Sequence, residues 1–463
     1  MLLIPAPVCR GHASGARRRP DAAPATPRTA GGLVAALLFL LALWPGMARA
    51  VLPIEHWTTP SGARVYFVRA PAIPMLDLSI VFDAGGRYGP ADRVGLASLT
   101  NAMLDKGVPG LDENAIAEGF ASVGAQRGGG ASDDRASVSL RTLTNAQEMQ
   151  AALELLERTL AEPTFPEAVL AREKERLVQA LREAQTRPGT LAANAFSAAL
   201  YPGHPYGRHA TPDTVAAVTR AELQAFHQAH YAASRAVVAM IGAITREQAE
   251  QIAQRLTARL PAGSPPPDLP AVLPLTEAVQ RNIAHPASQS HILIGAPAIA
   301  WGDPDQFALM VGNYVLGGGG FVSRLYDEVR EKRGLAYSVY SYFSPSLQPG
   351  PFTIGLQTSK EQTGLALQVV RQTLERFLSD GPTEQELAAA KANLVGGFAL
   401  RIDSNRKILD NLATIGWYRL PLDWLERWPQ QVEAVTVQQV REAFARHVRP
   451  QALATVVVGE AGP

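Results

Sequence analysis

Arg330 and Tyr337 stand seven residues apart and offer a guanidinium and a phenol, two donors able to steady a developing oxyanion. On spacing alone the pair reads better as a surface arginine beside a half-buried strand tyrosine. The nine histidines fall at 12, 56, 204, 209, 227, 230, 285, 291 and 447, and His227-x-x-His230 has the spacing of two metal ligands one helical turn apart. An internal repeat places Phe444 and His447 at the matching positions, which favours packing for the His pair. His204 and His209 flank a Pro/Gly-rich turn with no acidic residue beside them. Ser98 lies mid-helix with Asn101 one turn on, lacking the elbow and base of a hydrolase nucleophile. Gly317–Gly320 is not followed by Gly-Lys-Ser/Thr, so a turn that brings the chain close to a neighbour or a peptide is expected, not a phosphate loop.

The repeat sets the architecture that positions these residues. At an offset of 217, Glu167, Leu170, Ala171, Lys174 and Leu177 recur as Glu384, Leu387, Ala388, Lys391 and Leu394. Ala217-Val218-Thr219, His230 and Gly242 recur as Ala434-Val435-Thr436, His447 and Gly459. Upstream the offset becomes 214, with Ala152, Leu153, Thr159 and Leu160 matching Ala366, Leu367, Thr373 and Leu374. A tandem duplication of one unit explains both.

Each unit shows alternating strand patterns, at Ala63–Val68, Leu76–Phe82 and Ser137–Leu143, then at His291–Gly295, Tyr337–Phe343 and Phe352–Gln357. The β-branched runs AVVAMIG and ATVVVG close the two units. Helical periodicity covers Gly95–Leu104, Ala146–Leu160, Glu167–Glu183 and Arg220–His230, with counterparts at Asp305–Leu316, Gln362–Leu378, Thr383–Ile402 and Val437–His447. Thr383 and Glu386 form a capping box. The expected class is α+β: two similar tandem domains, each a mostly antiparallel sheet with helices on one face, facing each other across a cavity. The domains are expected at 51–260 and 276–463, joined by a Pro-rich linker at 261–275.

Composition excludes other classes. The 463 residues are 47% hydrophobic and 18% charged, an ordinary globular balance. The net charge of +1 offers no basis for a nucleic-acid partner. Residues 1–50 carry six arginines and one acid, and the rest hold 37 basic against 41 acidic side chains. The apolar run Leu33–Trp44 after Arg17, Arg18, Arg19 and Arg28, broken by Pro45-Gly46 and followed by Ala48-Arg49-Ala50, reads as a signal peptide cleaved after residue 50. An exported, periplasmic protein with no membrane span after cleavage is expected. Cys9 is the only cysteine and falls in the removed segment, which excludes disulfides, thiol catalysis and Cys-ligated zinc in the mature chain.

The stretch Gly317-Gly318-Gly319-Gly320-Phe321-Val322-Ser323-Arg324-Leu325, followed by Val329-Arg330-Glu331-Lys332-Arg333-Gly334-Leu335-Ala336-Tyr337-Ser338-Val339, closely resembles the C-terminal half of the insulinase–pitrilysin (inverzincin) metallopeptidases, the family of the mitochondrial processing peptidase. Gly95-Leu96-Ala97 through Asp105-Lys106-Gly107, and Tyr201-Pro202-Gly203-His204-Pro205-Tyr206-Gly207, agree with its N-terminal half. The resemblance covers nearly all of the mature chain.

The family's catalytic motif is missing. H-x-x-E-H, where two imidazoles bind zinc and the glutamate takes a proton from the bound water, aligns with Ser98, Asn101 and Ala102. The third ligand, seven residues beyond a helix glutamate matched by Glu173, aligns with Ala180. Alanine has no ligand atom and asparagine cannot act as the base, so no metal is expected on this chain. Arg330 and Tyr337 match the family pair that binds the substrate backbone and steadies the reacting carbonyl. Keeping that pair without zinc ligands resembles the non-catalytic, substrate-binding subunit of the two-chain members. The implied partner is a homologous H-x-x-E-H subunit carrying the zinc, with peptides as substrates and little hydrolysis by this chain alone. Two other readings remain: a proteolytically silent scaffold or peptide-binding protein, and an independent metallopeptidase with relocated ligands.

Overall fold

A computed structural model describes residues 53–459. The predicted signal peptide lies outside these residues. The strands are β1 (Glu55–Thr58), β2 (Arg64–Arg69), β3 (Met75–Phe82), the short pair β4 (Gly107–Val108) and β5 (Leu111–Asp112), β6 (Gln126–Ala131), β7 (Ala136–Leu143) and β8 (Val237–Gly242) in the first half. The second half has β9 (Val279–Ala284), β10 (Gln289–Ile299), β11 (Val339–Phe343), β12 (Gly350–Ser359) and β13 (Ala454–Gly459).

The first sheet runs β1-β2-β8-β3-β7-β6 and the second β11-β12-β10-β13-β9. Read from opposite ends, β2-β8-β3-β7-β6 and β9-β13-β10-β12-β11 are the same topology. Both are antiparallel apart from one parallel pair, β2 with β8 and β13 with β9. The duplication inferred from sequence is thus a duplication of the whole strand order. The two sheets and their helices give the α+β fold of two similar domains.

Each half supplies the helices on one face of its own sheet. The other face is covered by a helix from the opposite half. Along β8, Val238 and Met240 enter the first-half core, while Val237, Ala239 and Ile241 meet Ile408, Leu409, Leu412 and Trp417 of the Asn405–Tyr418 helix. At β13, Val457 faces the second-half core, and Val456 and Val458 meet Ala192, Phe196 and Leu200 of the Pro188–Leu200 helix. Burial on both faces is why AVVAMIG and ATVVVG read as continuous apolar runs. The fit at the first crossing is close. A Cβ at Gly416 would sit 2.5 Å from Val237 and 2.7 Å from the Tyr66 ring, and Arg64 donates to the Gly416 carbonyl at 2.8 Å.

A polar junction also ties the halves. Asp134 accepts from the Leu347 amide at 3.0 Å, from Arg87 at 2.8 Å and from the Tyr206 hydroxyl. The segment 261–275 has no regular structure, and Val272 donates to the Gln348 side chain at 2.6 Å.

Local signals account for most helix limits. Thr219 with Glu222 and Thr436 with Gln439 form reciprocal capping boxes at the starts of Arg220–His230 and Val437–His447. The periodic segment expected over Asp305–Leu316 is α-helical over Gln306–Asn313 and then π-helical over Tyr314–Gly318. A Cβ at Gly317 would lie 2.4 Å from the Ser341 hydroxyl, so glycine lets this helix end press against β11. Among the described residues no helix is long and apolar enough to cross a membrane.

Candidate functional site

The Leu96–Met103 helix packs against the first sheet through Leu96, Ala97, Leu99 and Met103. That packing leaves Ser98 and Ala102 exposed on the opposite face, while Asn101 points inward. Asn101 Nδ2 donates to the Ser137 carbonyl of β7 at 3.1 Å and to the hydroxyl of Tyr231, a fully buried ring, at 3.2 Å. The amide therefore holds helix, sheet and Tyr231 together.

Ala180 is exposed on the Glu167–Ala184 helix. One face up, Glu173 is buried and accepts from Arg176 at 2.7 Å and Arg172 at 3.1 Å. Burial alone would raise the Glu173 pKa, but the hydrogen bonds from Arg176 and Arg172 outweigh it, so it stays below the usual range. A Ser hydroxyl, two methyls and a committed amide cannot hold zinc or serve as its base, so the donor set does not fit the metal that the fold implies.

The other histidines do not replace it. His227 is buried, donates its Nε2–H to the Leu160 carbonyl at 2.8 Å, and has its pKa lowered by desolvation. His230 stacks on Tyr88 at 4.5 Å, so the His227-x-x-His230 pair is packing. His204 is buried in its turn and accepts from the Tyr206 amide at 3.1 Å. Among the described residues one cluster, Asp303, Asp305 and His447, brings three ligand-type side chains together. There Asp305 already accepts from both nitrogens of Arg446, at 2.7 and 2.8 Å, and that cation disfavours a metal ion.

Arg330 and Tyr337 are brought together. The Arg330 guanidinium lies over the Tyr337 ring, 4.8 Å from its centre, and 4.7 Å from that of Tyr326. Arg330 sits in a π-helical turn, Asp327–Glu331, a form frequent at functional sites. Leu335 and Ala336 bury themselves, and the Thr358 hydroxyl donates to the Leu335 carbonyl at 2.6 Å. The next residue, Tyr337, is thereby turned outward and is 81% exposed. It lies in a bend before β11, neither half-buried nor in the strand that its pattern suggested.

Acidic neighbours do not neutralise this pair. Glu328 is occupied by Lys332 at 2.9 Å, Arg333 at 2.6 Å and Arg376 at 3.5 Å. The Lys332 hydrogen bond leads in holding its pKa down to about 2. Asp327 pairs with Lys332, which leaves Glu331, 4.0 Å away, as the nearest acid to Arg330. Neither the Arg330 nor the Tyr337 side chain makes a hydrogen bond to the described residues, so both keep their donors free. Phe321, 76% exposed, joins the group, edge-on to Tyr326 at 4.9 Å and 5.9 Å from the Arg330 guanidinium. Sequence reasoning gave Phe321 and Tyr326 no role, although Tyr326 and Arg330 at i and i+4 on one helix face were a usable signal.

Two duplicated sheets and an Arg/Tyr pair stacked at the entry to β11 define a peptidase-like fold. Comparison with known proteins gives the family. The sequence profile of the insulinase family (peptidase family M16) matches residues 64–213, and that of the peptidase M16 inactive domain matches residues 217–394. A crystal structure of a peptidase M16 inactive domain from Pseudomonas fluorescens is 39% identical, covers 89% of this chain and 99% of its own, and superposes with a TM-score of 0.84. An uncharacterized zinc protease of Mycobacterium tuberculosis is 27% identical over 440 residues, covering 90% of this chain and 96% of that protein. The periplasmic protease PqqL of Escherichia coli shares the fold at 18% identity, with a TM-score of 0.74 over 88% of this chain and 45% of its own. The chain belongs to the insulinase (M16) peptidase family.

Proposed function

We propose that this chain is the substrate-binding, non-catalytic subunit of a periplasmic two-chain peptidase acting on peptides or unfolded segments. Its partner is a homologous chain carrying H-x-x-E-H and the zinc. One observation carries the reading: the four metal and base positions hold Ser98, Asn101, Ala102 and Ala180, yet a partly exposed Arg330 and an exposed Tyr337 stand stacked and free of hydrogen-bond partners among the described residues.

In this reading the two halves and the partner enclose a chamber. Substrate backbone extends along a free sheet edge, where main-chain pairing supplies affinity; β6 and β11, the equivalent edges of the two duplicated sheets, are the strands proposed for it. The guanidinium and phenol then donate to the substrate carbonyl and hold more tightly as negative charge develops on its oxygen. The chain itself supplies binding and orientation, and no proton transfer.

The test is to isolate the C-terminally tagged mature chain from its native host under mild conditions. A comparable amount of an H-x-x-E-H chain, with zinc and peptidase activity, is the expected result. In that complex Arg330→Ala lowers turnover by about 10²–10³, the usual loss for one oxyanion donor, with zinc content unchanged. Recovery of the chain alone, or unaltered turnover in the variant, would replace this reading with the silent scaffold.

A further inference from the structure

The first-half helix that has lost its metal residues has a counterpart in the second half, and the burial pattern gives its register. Leu96, Ala97, Leu99, Thr100, Asn101, Met103 and Leu104 are buried, and so are Ala308, Leu309, Val311, Gly312, Asn313, Val315 and Leu316, each 212 positions on. Both asparagines donate to a strand serine carbonyl, Asn101 to Ser137 at 3.1 Å and Asn313 to Ser341 at 2.9 Å. By this register Ser98, Asn101 and Ala102 correspond to Met310, Asn313 and Tyr314. By the 217 offset Ala180 corresponds to Gly397. These four counterparts together line one cleft of about 280 Å³, completed by Gly318, Asn393, Leu394 and Arg401.

The cleft has one formal charge. The Arg401 guanidinium stacks 5.3 Å from the centre of the Trp428 ring, itself stacked on Phe398 at 4.9 Å, and it has no carboxylate partner among the described residues. Asn393 is exposed beside it, and its side-chain amide makes no hydrogen bond to them. Met310 and Leu394 supply apolar wall. Gly318 and Gly397 leave that wall without side chains, and the π-helical turn Tyr314–Gly318 borders it. One exposed guanidinium resting on the Trp428 ring beside a free amide suits a single carboxylate, held by the planar fork. The volume lies near the lower end of the range for small-molecule sites, enough for a terminal residue and too small for a nucleotide.

We infer that the second-half counterpart of the degenerate metal site is a binding pocket for a peptide carboxylate, with Arg401 holding the carboxylate, Asn393 donating beside it, and Met310 and Leu394 taking an apolar side chain. None of Phe321, Tyr326, Arg330 and Tyr337 lines it, so the inference does not depend on the oxyanion role of that group.

The test is calorimetric or NMR titration of the full mature chain with N-acetyl-leucine, N-acetyl-leucinamide and inorganic phosphate. Saturable binding of N-acetyl-leucine is expected, weakened at least tenfold for the amide and in Arg401→Gln, and unchanged in Arg330→Ala. Asn393→Asp, at an exposed position, should weaken it similarly by charge repulsion, and serves if Arg401→Gln proves unstable. No saturable binding at tens of millimolar, or equal binding of acid and amide, overturns the proposal. Phosphate binding as tight as N-acetyl-leucine overturns the peptide assignment in favour of a general anion site.

Discussion

Leu412→Ala tests the helix exchange. Leu412 is fully buried in the second-half helix that covers the outer face of the first-half sheet, among Tyr66, Val81, Val237 and Ile241. Truncation removes three carbons, worth about 2.4 kcal/mol of transfer free energy at ~0.8 kcal/mol each. The cavity adds to this, because β2, β3 and β8 are held by their ladders and cannot collapse onto it. The total expected is about 3–4 kcal/mol, within the range of buried Leu→Ala changes. Urea titration should show it as a lower midpoint at constant slope, with Trp fluorescence and far-UV circular dichroism moving together, because the lost contact joins the halves. Leu422→Ala, at a position 42% exposed, should cost under about 0.5 kcal/mol. A loss below about 1 kcal/mol for Leu412→Ala, or two separated transitions in the unaltered protein, would refute the claim that this helix anchors one half to the other.

The reciprocal crossing predicts a comparable effect for Phe196→Ala, about 3–5 kcal/mol by the same measurement, since Phe196 is 5% exposed against β13. Asn101→Ala should lower stability by about 1–3 kcal/mol despite alanine's better helix propensity, because the Tyr231 hydroxyl loses its donor; an unchanged melting temperature would deny the amide its structural role. Glu386, led by its hydrogen bond from Arg324, has its pKa lowered from 4.5 to about 2. A depressed carboxylate stabilises the fold above its unfolded pKa, so the stability gap between the wild type and Glu386→Gln should shrink as pH falls from about 4.5 to about 2. A gap independent of pH would assign it to the Thr383 cap alone. The isolated chain should bind no stoichiometric zinc, and chelators should leave its melting temperature unchanged; one tightly held zinc per chain, seen by elemental analysis, would reinstate a relocated centre.

The sequence by itself determined what is written in local or repeated signals. Arg220–His230 and Val437–His447 were legible to the residue because their Thr caps and apolar spacing are contiguous in the chain. The Gly95-Leu96-Ala97 helix and the Gly317–Val339 stretch carry the family, and the residue types at Ser98, Asn101, Ala102 and Ala180 are read directly. Some local signals were present and unread. Arg246–Ala258 begins with a reciprocal Thr245/Gln248 cap, and Glu113–Ser122 is capped by Asp112. Edge strands were harder: β6, with three glycines, and the largely exposed β9 lack the apolar alternation that marks a strand. Only the tertiary structure decided which half each apolar helix covers. Pro188–Leu200 and Asn405–Tyr418 announce buried faces, but the surfaces that bury them lie in the other half of the chain and impose no period on the sequence. The same holds for Tyr337 and Arg401: exposure and an unpaired charge are properties of what surrounds a side chain, and that is fixed only when distant segments pack.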